Sequence, residues 1–197
     1  MRRTVVLFGI TCGLFVPAVA GAAKFETLMV SRASGPTGVT GSAFSYDPVV
    51  NADGRFVAFA SEAINLHPDD TDGTSDVYVR DMASQQLTLV SRATGAAGAK
   101  ANGASGLATI SADGRRVAFE SKATNLSPRD TDDTVDVYVR DLDTNTTTLV
   151  SEALSPAQEP DGESLDPDIS ADGRFVAFHS DASNLDPVPS GATYEVF

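Results

Sequence analysis

The chain repeats itself. Asn51 to Ala93, NADGRFVAFASEAINLHPDDTDGTSDVYVRDMASQQLTLVSRA, returns at Ser111 to Ala153 as SADGRRVAFESKATNLSPRDTDDTVDVYVRDLDTNTTTLVSEA, a shift of 60 residues. A third copy opens at Ser170 as SADGRFVAFHSDASNLDPVPSGATYEVF and runs to Phe197. TLMVSRA (Thr27 to Ala33) matches the end of a repeat and precedes the first whole one. Units of this length bury their faces against neighbouring copies, so the repeat restricts the chain to blades, solenoid turns or arrays.

Each unit reads as four short strands. The runs PVV (from Pro48), ATI (from Ala108) and PDI (from Pro167) each lead to an Asp-Gly pair, at Asp53-Gly54, Asp113-Gly114 and Asp172-Gly173. Asp-Gly between apolar runs predicts a two-residue hairpin of type I′, with positive φ at both central positions. RFVAFAS and its copies follow with alternating side chains, then DVYVRD at Asp76 and Asp136, then LTLVS or TTLVS. No segment has capped helical periodicity except the N-terminal apolar run, so the class is all-β. Small and apolar residues on both sides of these strands fit sheets covered on both faces, as stacked blades are.

The unit SADGRxVAF…NL…DTDxTxDVYVRD…TTTLVS resembles the repeat of TolB-like (WD-repeat-like) β-propellers. That resemblance implies blades of four-stranded antiparallel sheets, roughly two and a half to three of them here, in a partial propeller. The expected layout is a lone strand at 24–31, blade 1 at about 43–92, blade 2 at about 104–152 and an incomplete blade 3 at about 163–197. Closed propellers typically have about four to eight blades, so a truncated portion of a longer propeller is the simpler expectation. Pairing of two chains into one ring is the alternative.

Residues 1–22 read as a signal peptide: Arg2 and Arg3, an apolar run to Val16, Pro17, then Ala18-Val19-Ala20. Cleavage there removes Cys12, the only cysteine, and leaves 23–197 without a disulfide in a secreted or periplasmic location. No stable membrane insertion is expected once the leader is gone. The net charge of −13 becomes more negative when the two arginines leave, which disfavours nucleic acid as a partner.

The acidic loops are the candidate sites. Asp70, Asp72 and Asp76, with Gly73 among them, recur as Asp130, Asp132 and Asp136, and Ca²⁺ takes oxygen ligands from loops of this kind. The pattern resembles the calcium loops of integrin α-subunit propeller blades, although its first acidic position falls on Pro68 and Pro128. The other reading is structural, with Asp and Gly making a turn and the last Asp capping a strand. The third copy keeps Glu195 alone of the three acids. No cofactor is required on either reading; calcium is the candidate.

Arg80-Asp81 and Arg140-Asp141 are expected as ion pairs tying strands or blades, and Asn65, Asn125 and Asn184 as turn residues. His67 and His179 occupy unrelated repeat positions, and no Gly-x-Ser-x-Gly or His-Glu-x-x-His pattern occurs. The expected function is a non-enzymatic binding or scaffold module with a protein or polysaccharide partner; self-association that closes the propeller belongs to the alternative in which two chains pair into one ring. The propeller domain of a larger, peptidase-like hydrolase is the alternative.

Overall fold

The computed structural model describes residues 27–187 and 194–197, so the expected leader and the start of the lone strand lie outside the described residues. Eleven strands are described: β1 (Ser45–Val50), β2 (Phe56–Ser61), β3 (Asp76–Asp81), β4 (Leu87–Leu89), β5 (Ser105–Ile110), β6 (Arg116–Ser121), β7 (Asp136–Asp141), β8 (Thr146–Leu149), β9 (Ser164–Ile169), β10 (Val176–Ser180) and β11 (Glu195–Val196). They form antiparallel meanders β1-β2-β3-β4, β5-β6-β7-β8 and β9-β10-β11. Successive sheets pack face to face, β5 against β1, β2 and β3, and β9 against β5, β6 and β7. These are three consecutive blades of a partial β-propeller, the architecture expected from the repeat. No helix among the described residues is long and apolar enough to cross a membrane. Residues 27–31 lie outside the named strands.

Strand alternation divides the large and small side chains between the two faces of a blade. Phe59 and Tyr78 stack on one face of blade 1 at 5.8 Å between ring centres, with Leu89 beside them. Phe119 and Tyr138 repeat the stack at 5.8 Å, and Phe178 and Phe197 at 5.6 Å. The opposite face of blade 1 carries the smaller Ala58, Val77 and Val79, which share one buried cluster with Val117, Phe119 and Tyr138 of blade 2. The repeat thus meets its own next copy, aromatic face to aliphatic face. Fully burying a ring such as that of Phe119 contributes about 2–3 kcal/mol.

Two local features differ from the expectation. The first strand of each blade starts three residues early, and its register shifts around Asp47, Leu107 and Asp166, which have φ of 49°, 40° and 52°. A bulge residue there bends the strand against its neighbour. The hairpins are not two-residue type I′ turns. Gly54, Gly114 and Gly173 have positive φ, but the preceding aspartates do not. Gly54 N–H donates to Asn51 C=O, and the Asn51 side chain accepts from Phe56 N–H, a cap that Ser111 and Ser170 supply in the other copies. Asp53 accepts from Arg55 N–H, which stabilises a longer right-handed turn that needs a left-handed residue only at its end.

The linkers are held by arginine. Arg80, fully buried, donates to the carbonyls of Arg32, Ala33 and Gly35 and to Gln85 Oε1 at 2.8–3.2 Å. Arg140, 1% exposed, repeats this with the carbonyls of Arg92, Ala93 and Gly95, and adds Thr147 Oγ1 and Asn145 Oδ1. The expected ion pairs therefore hold for the aspartates alone: Asp81 pairs with Arg55 (2.8 Å), in the turn before β2, and Asp141 with Arg116 (3.1 Å), on β6, while Arg80 and Arg140 take carbonyls in place of carboxylates. Successive strand residues point to opposite faces, so Arg80 and Asp81 cannot share a partner.

Two outcomes follow for equilibrium unfolding in urea. Gly54→Ala and Gly114→Ala carry the same left-handed strain, roughly 1 kcal/mol. An added Cβ meets nothing at Gly54 but falls 2.1 Å from the Phe56 ring at Gly114. Gly114→Ala is expected to be the more destabilising by about 2 kcal/mol; equal losses would refute this packing. Arg140→Met strands the linker carbonyls and is expected to cost about 3 kcal/mol or more, whereas a loss within about 0.5 kcal/mol, as for an ordinary surface position, would refute the clamp.

Candidate functional site

In each of the first two blades the loop from the second to the third strand returns its acids to one place. Oxygens of Asp70, Asp72 and Asp76 lie within 4.8 Å of one another, as do those of Asp130, Asp132 and Asp136. The last acid opens the third strand and is bound from across the sheet: Ser91 Oγ donates to Asp76 Oδ1 at 2.7 Å, and Ser151 Oγ to Asp136 Oδ1 at 2.6 Å. The first acid is buried below the loop, where Tyr78 Oη donates to Asp70 Oδ2 at 2.5 Å and Tyr138 Oη donates to Asp130 Oδ2. The middle acid closes the turn by accepting from Thr74 N–H or Thr134 N–H. Both readings of the loop are thus present in the geometry: turn-making hydrogen bonds and a convergent carboxylate set.

The two sites differ in what faces them. Lys100, in the linker before β5, reaches back into the first site. Its Nζ donates to Asp76 Oδ2 at 2.7 Å, Asp72 Oδ1 at 3.2 Å and the Ala101 carbonyl at 3.1 Å, and lies 3.9 Å from Asp70 Oδ1. An ammonium has three donors, and all are used. Burial pushes Asp76 up to about 6, against the lowering effect of its bonds to Lys100 and Ser91.

At the equivalent place before β9 stands Glu159. The carboxamides of Asn125 and Asn184 fix the equivalence, since Asn125 Nδ2 donates to the Lys100 carbonyl and Asn184 Nδ2 to the Glu159 carbonyl, both at 2.8 Å. These asparagines are linker anchors as well as turn residues. Glu159 Oε2 accepts from Thr131 N–H at 3.0 Å and Thr131 Oγ1 at 2.6 Å, which brings a fourth carboxylate to the second loop. Burial, with repulsion from Asp130, Asp132 and Glu159, pushes Asp136 up to about 7. Asp130 is 1% exposed, and its Oδ1 has no hydrogen-bond donor among the described residues.

A neighbouring substitution is compensated. Asp69 pairs with Arg92 at 2.9 Å in the first copy; in the second, Arg129 pairs with Glu152 at 2.7 Å, with both charges exchanged. Arg129 is therefore already engaged beside the second acidic loop. Lys100 and Glu159 escaped the sequence reading because they lie in linkers where the repeat shift changes from 60 to 59 residues. Registering the linkers on the Asn-Leu pairs that follow would have found them. His67 Nδ1 accepts from Asp69 N–H, and His179 packs edge-on against Tyr194 at 5.2 Å, so the structure gives the two histidines separate places.

No family model and no curated protein matches the chain. Among solved structures it is similar to TolB from Acinetobacter baumannii (TM-score 0.44, 16% identity), covering 78% of this chain and 29% of that one. It is also similar to the tricorn protease (TM-score 0.43, 19% identity, 78% and 12% covered). A third is the β-propeller domain of the Trilobed protease from Pyrococcus furiosus (TM-score 0.41, 17% identity, 79% and 42% covered). The chain spans less than half the length of each.

The lysine in the first site is directly testable. Lys100→Met leaves buried carboxylates without their cation and is expected to cost about 3 kcal/mol in urea unfolding at pH 7. A loss below about 0.5 kcal/mol would mean that the ammonium does not neutralise the cluster.

Proposed function

We propose that this chain is a non-enzymatic binding and scaffold module, secreted or periplasmic, that engages a protein partner through the faces of its end blades. The partner those faces fit is another blade of the same repeat, supplied by a second copy of the chain. The carrying observation is a difference between equivalent residues. Phe56 is half-buried, its ring packed on Gly114 of the following blade. Phe175, the same position in the third copy, is 65% exposed, and Val196, paired with His179 further along the same sheet, is 82% exposed.

At the other end Gly54, the counterpart of Gly114, has open space where a ring would pack. Beside it Met29, Val30, Tyr46, Val57 and Phe59 line an apolar cleft. One end of the array therefore presents what the other lacks. A contact of this kind is head-to-tail, and it closes if the rotation per blade completes a ring. Two chains of three blades supply about six, within the usual range for propellers.

Sedimentation of the purified chain tests the reading. A concentration-dependent dimer is expected, and Phe175→Glu is expected to leave a folded monomer, because Phe175 is a surface residue within its own blade. A monomer at all concentrations up to about 100 μM would overturn it, since a contact weaker than that is worth only about 5.5 kcal/mol. So would a dimer that Phe175→Glu leaves intact.

A further inference from the structure

We infer that the second acidic loop, Asp130, Asp132 and Asp136 with Glu159, binds one divalent cation, calcium by its all-oxygen chemistry, while Lys100 supplies the cation of the first loop from within the chain. The two sites then form one device with two fillings. Where the linker residue is lysine, its ammonium sits among the acids and bonds to Asp72 and Asp76. Where it is glutamate, the positive charge is replaced by a negative one at the same anchored backbone position.

That reversal has no counterpart in the loop. The exchange of Asp69 and Arg92 for Arg129 and Glu152 cancels within its own pair. Three carboxylates therefore converge at the second loop with a fourth, that of Glu159, held beside them by Thr131, and the nearby guanidinium is paired with Glu152. An acidic turn alone would be ordinary, but Asp130 adds a buried oxygen that lacks a donor; its counterpart Asp70 Oδ1 lacks one too, but has the Lys100 ammonium 3.9 Å away. Tyr138 occupies Asp130 Oδ2, which leaves Oδ1 to be satisfied by something other than the protein. A buried carboxylate oxygen without a partner costs free energy, and a cation removes that cost.

The dimensions suit an ion of calcium's size. Oxygens on opposite sides of a Ca²⁺ with bonds of about 2.3–2.6 Å stand up to about 5 Å apart, and those of the trio lie within 4.8 Å. Ser151 holds Asp136 by Oδ1, which leaves Oδ2 where Asp76 receives the lysine. Thr131 and Thr134 hold Glu159 and Asp132 from the loop side. Backbone carbonyls and water would complete the six to eight ligands that Ca²⁺ takes. The ion would bridge the blade 2 loop to the linker that begins blade 3, as Lys100 bridges the blade 1 loop to the linker before blade 2.

Titration calorimetry of the full chain with calcium chloride, in about 150 mM potassium chloride to screen weak surface binding, tests this. The unmodified chain is expected to bind one calcium and to unfold at a higher temperature in calcium than in chelator. Glu159→Lys is expected to bind none and to lose the calcium-dependent shift, while its melting temperature in chelator rises above that of the unmodified chain. Lys100→Glu is expected to bind two. If Lys100→Glu does not fold without calcium, it is refolded in calcium and its bound metal counted by elemental analysis; one ion or none in the folded chain counts against the inference. No binding at millimolar calcium, two ions on the unmodified chain, or binding unchanged in Glu159→Lys would each overturn it.

Discussion

Two buried guanidinium groups hold this array together. Consecutive blades are separate sheets joined by isolated backbone bonds, such as Ser105 N–H to Ser75 C=O and Ser164 N–H to Val135 C=O, so a chain that leaves one blade at its outer edge must be fastened before it can start the next. Arg80 and Arg140 do this by donating to successive linker carbonyls, which lie 45 to 48 residues earlier in the chain. Burial lowers the pKa of both, but charge-assisted bonds to several carbonyls offset the desolvation. A carboxylate partner would satisfy the charge and leave the linker loose.

Around that clamp the repeated polar groups play consistent structural parts. The first and second strands of each blade are joined by a serine pair, Ser45–Ser61, Ser105–Ser121 and Ser164–Ser180, each at 2.9 Å. The third strand is tied across the sheet through Ser91 to Asp76 and Ser151 to Asp136. Asn65, Asn125 and Asn184 bind the chain just before each blade. Short side chains suffice because the aromatic stacks and the alanines opposite them set the distance between sheets. The acidic loops lie at the end of these ties, where a blade and the following linker meet and charge has to be balanced.

Charge balance also shows how a repeat can drift. Asp69 and Arg92 became Arg129 and Glu152 with their contact kept, a paired change that leaves the local field nearly unaltered. Lys100 and Glu159 changed without a compensating protein group, so the two loops share a backbone but differ in electrostatics. Equivalent positions in a repeat protein therefore need not share a ligand.

Much of this was legible in the residues. Repetition of SADGRxVAF and DVYVRD dictates like units with four short strands each, because Asp-Gly turns and two-residue alternation leave few other ways to bury those faces. The acids of each loop could be named as one set, since a few residues of local chain bring them together. What tertiary structure decided is whatever depends on distant segments meeting. The partners of Arg80 are backbone carbonyls, which every residue carries and which therefore leave no mark on the sequence. The bulges at Asp47, Leu107 and Asp166 arise from the fit of one strand to the next, and three different side chains accept them. Whether an acidic loop faces an ammonium or a fourth carboxylate depends on one linker residue, Lys100 or Glu159, 24 or 23 residues beyond the last acid. Sequence chemistry supplied the carboxylates, and the packing of one blade's linker against the preceding blade's loop decided what they face.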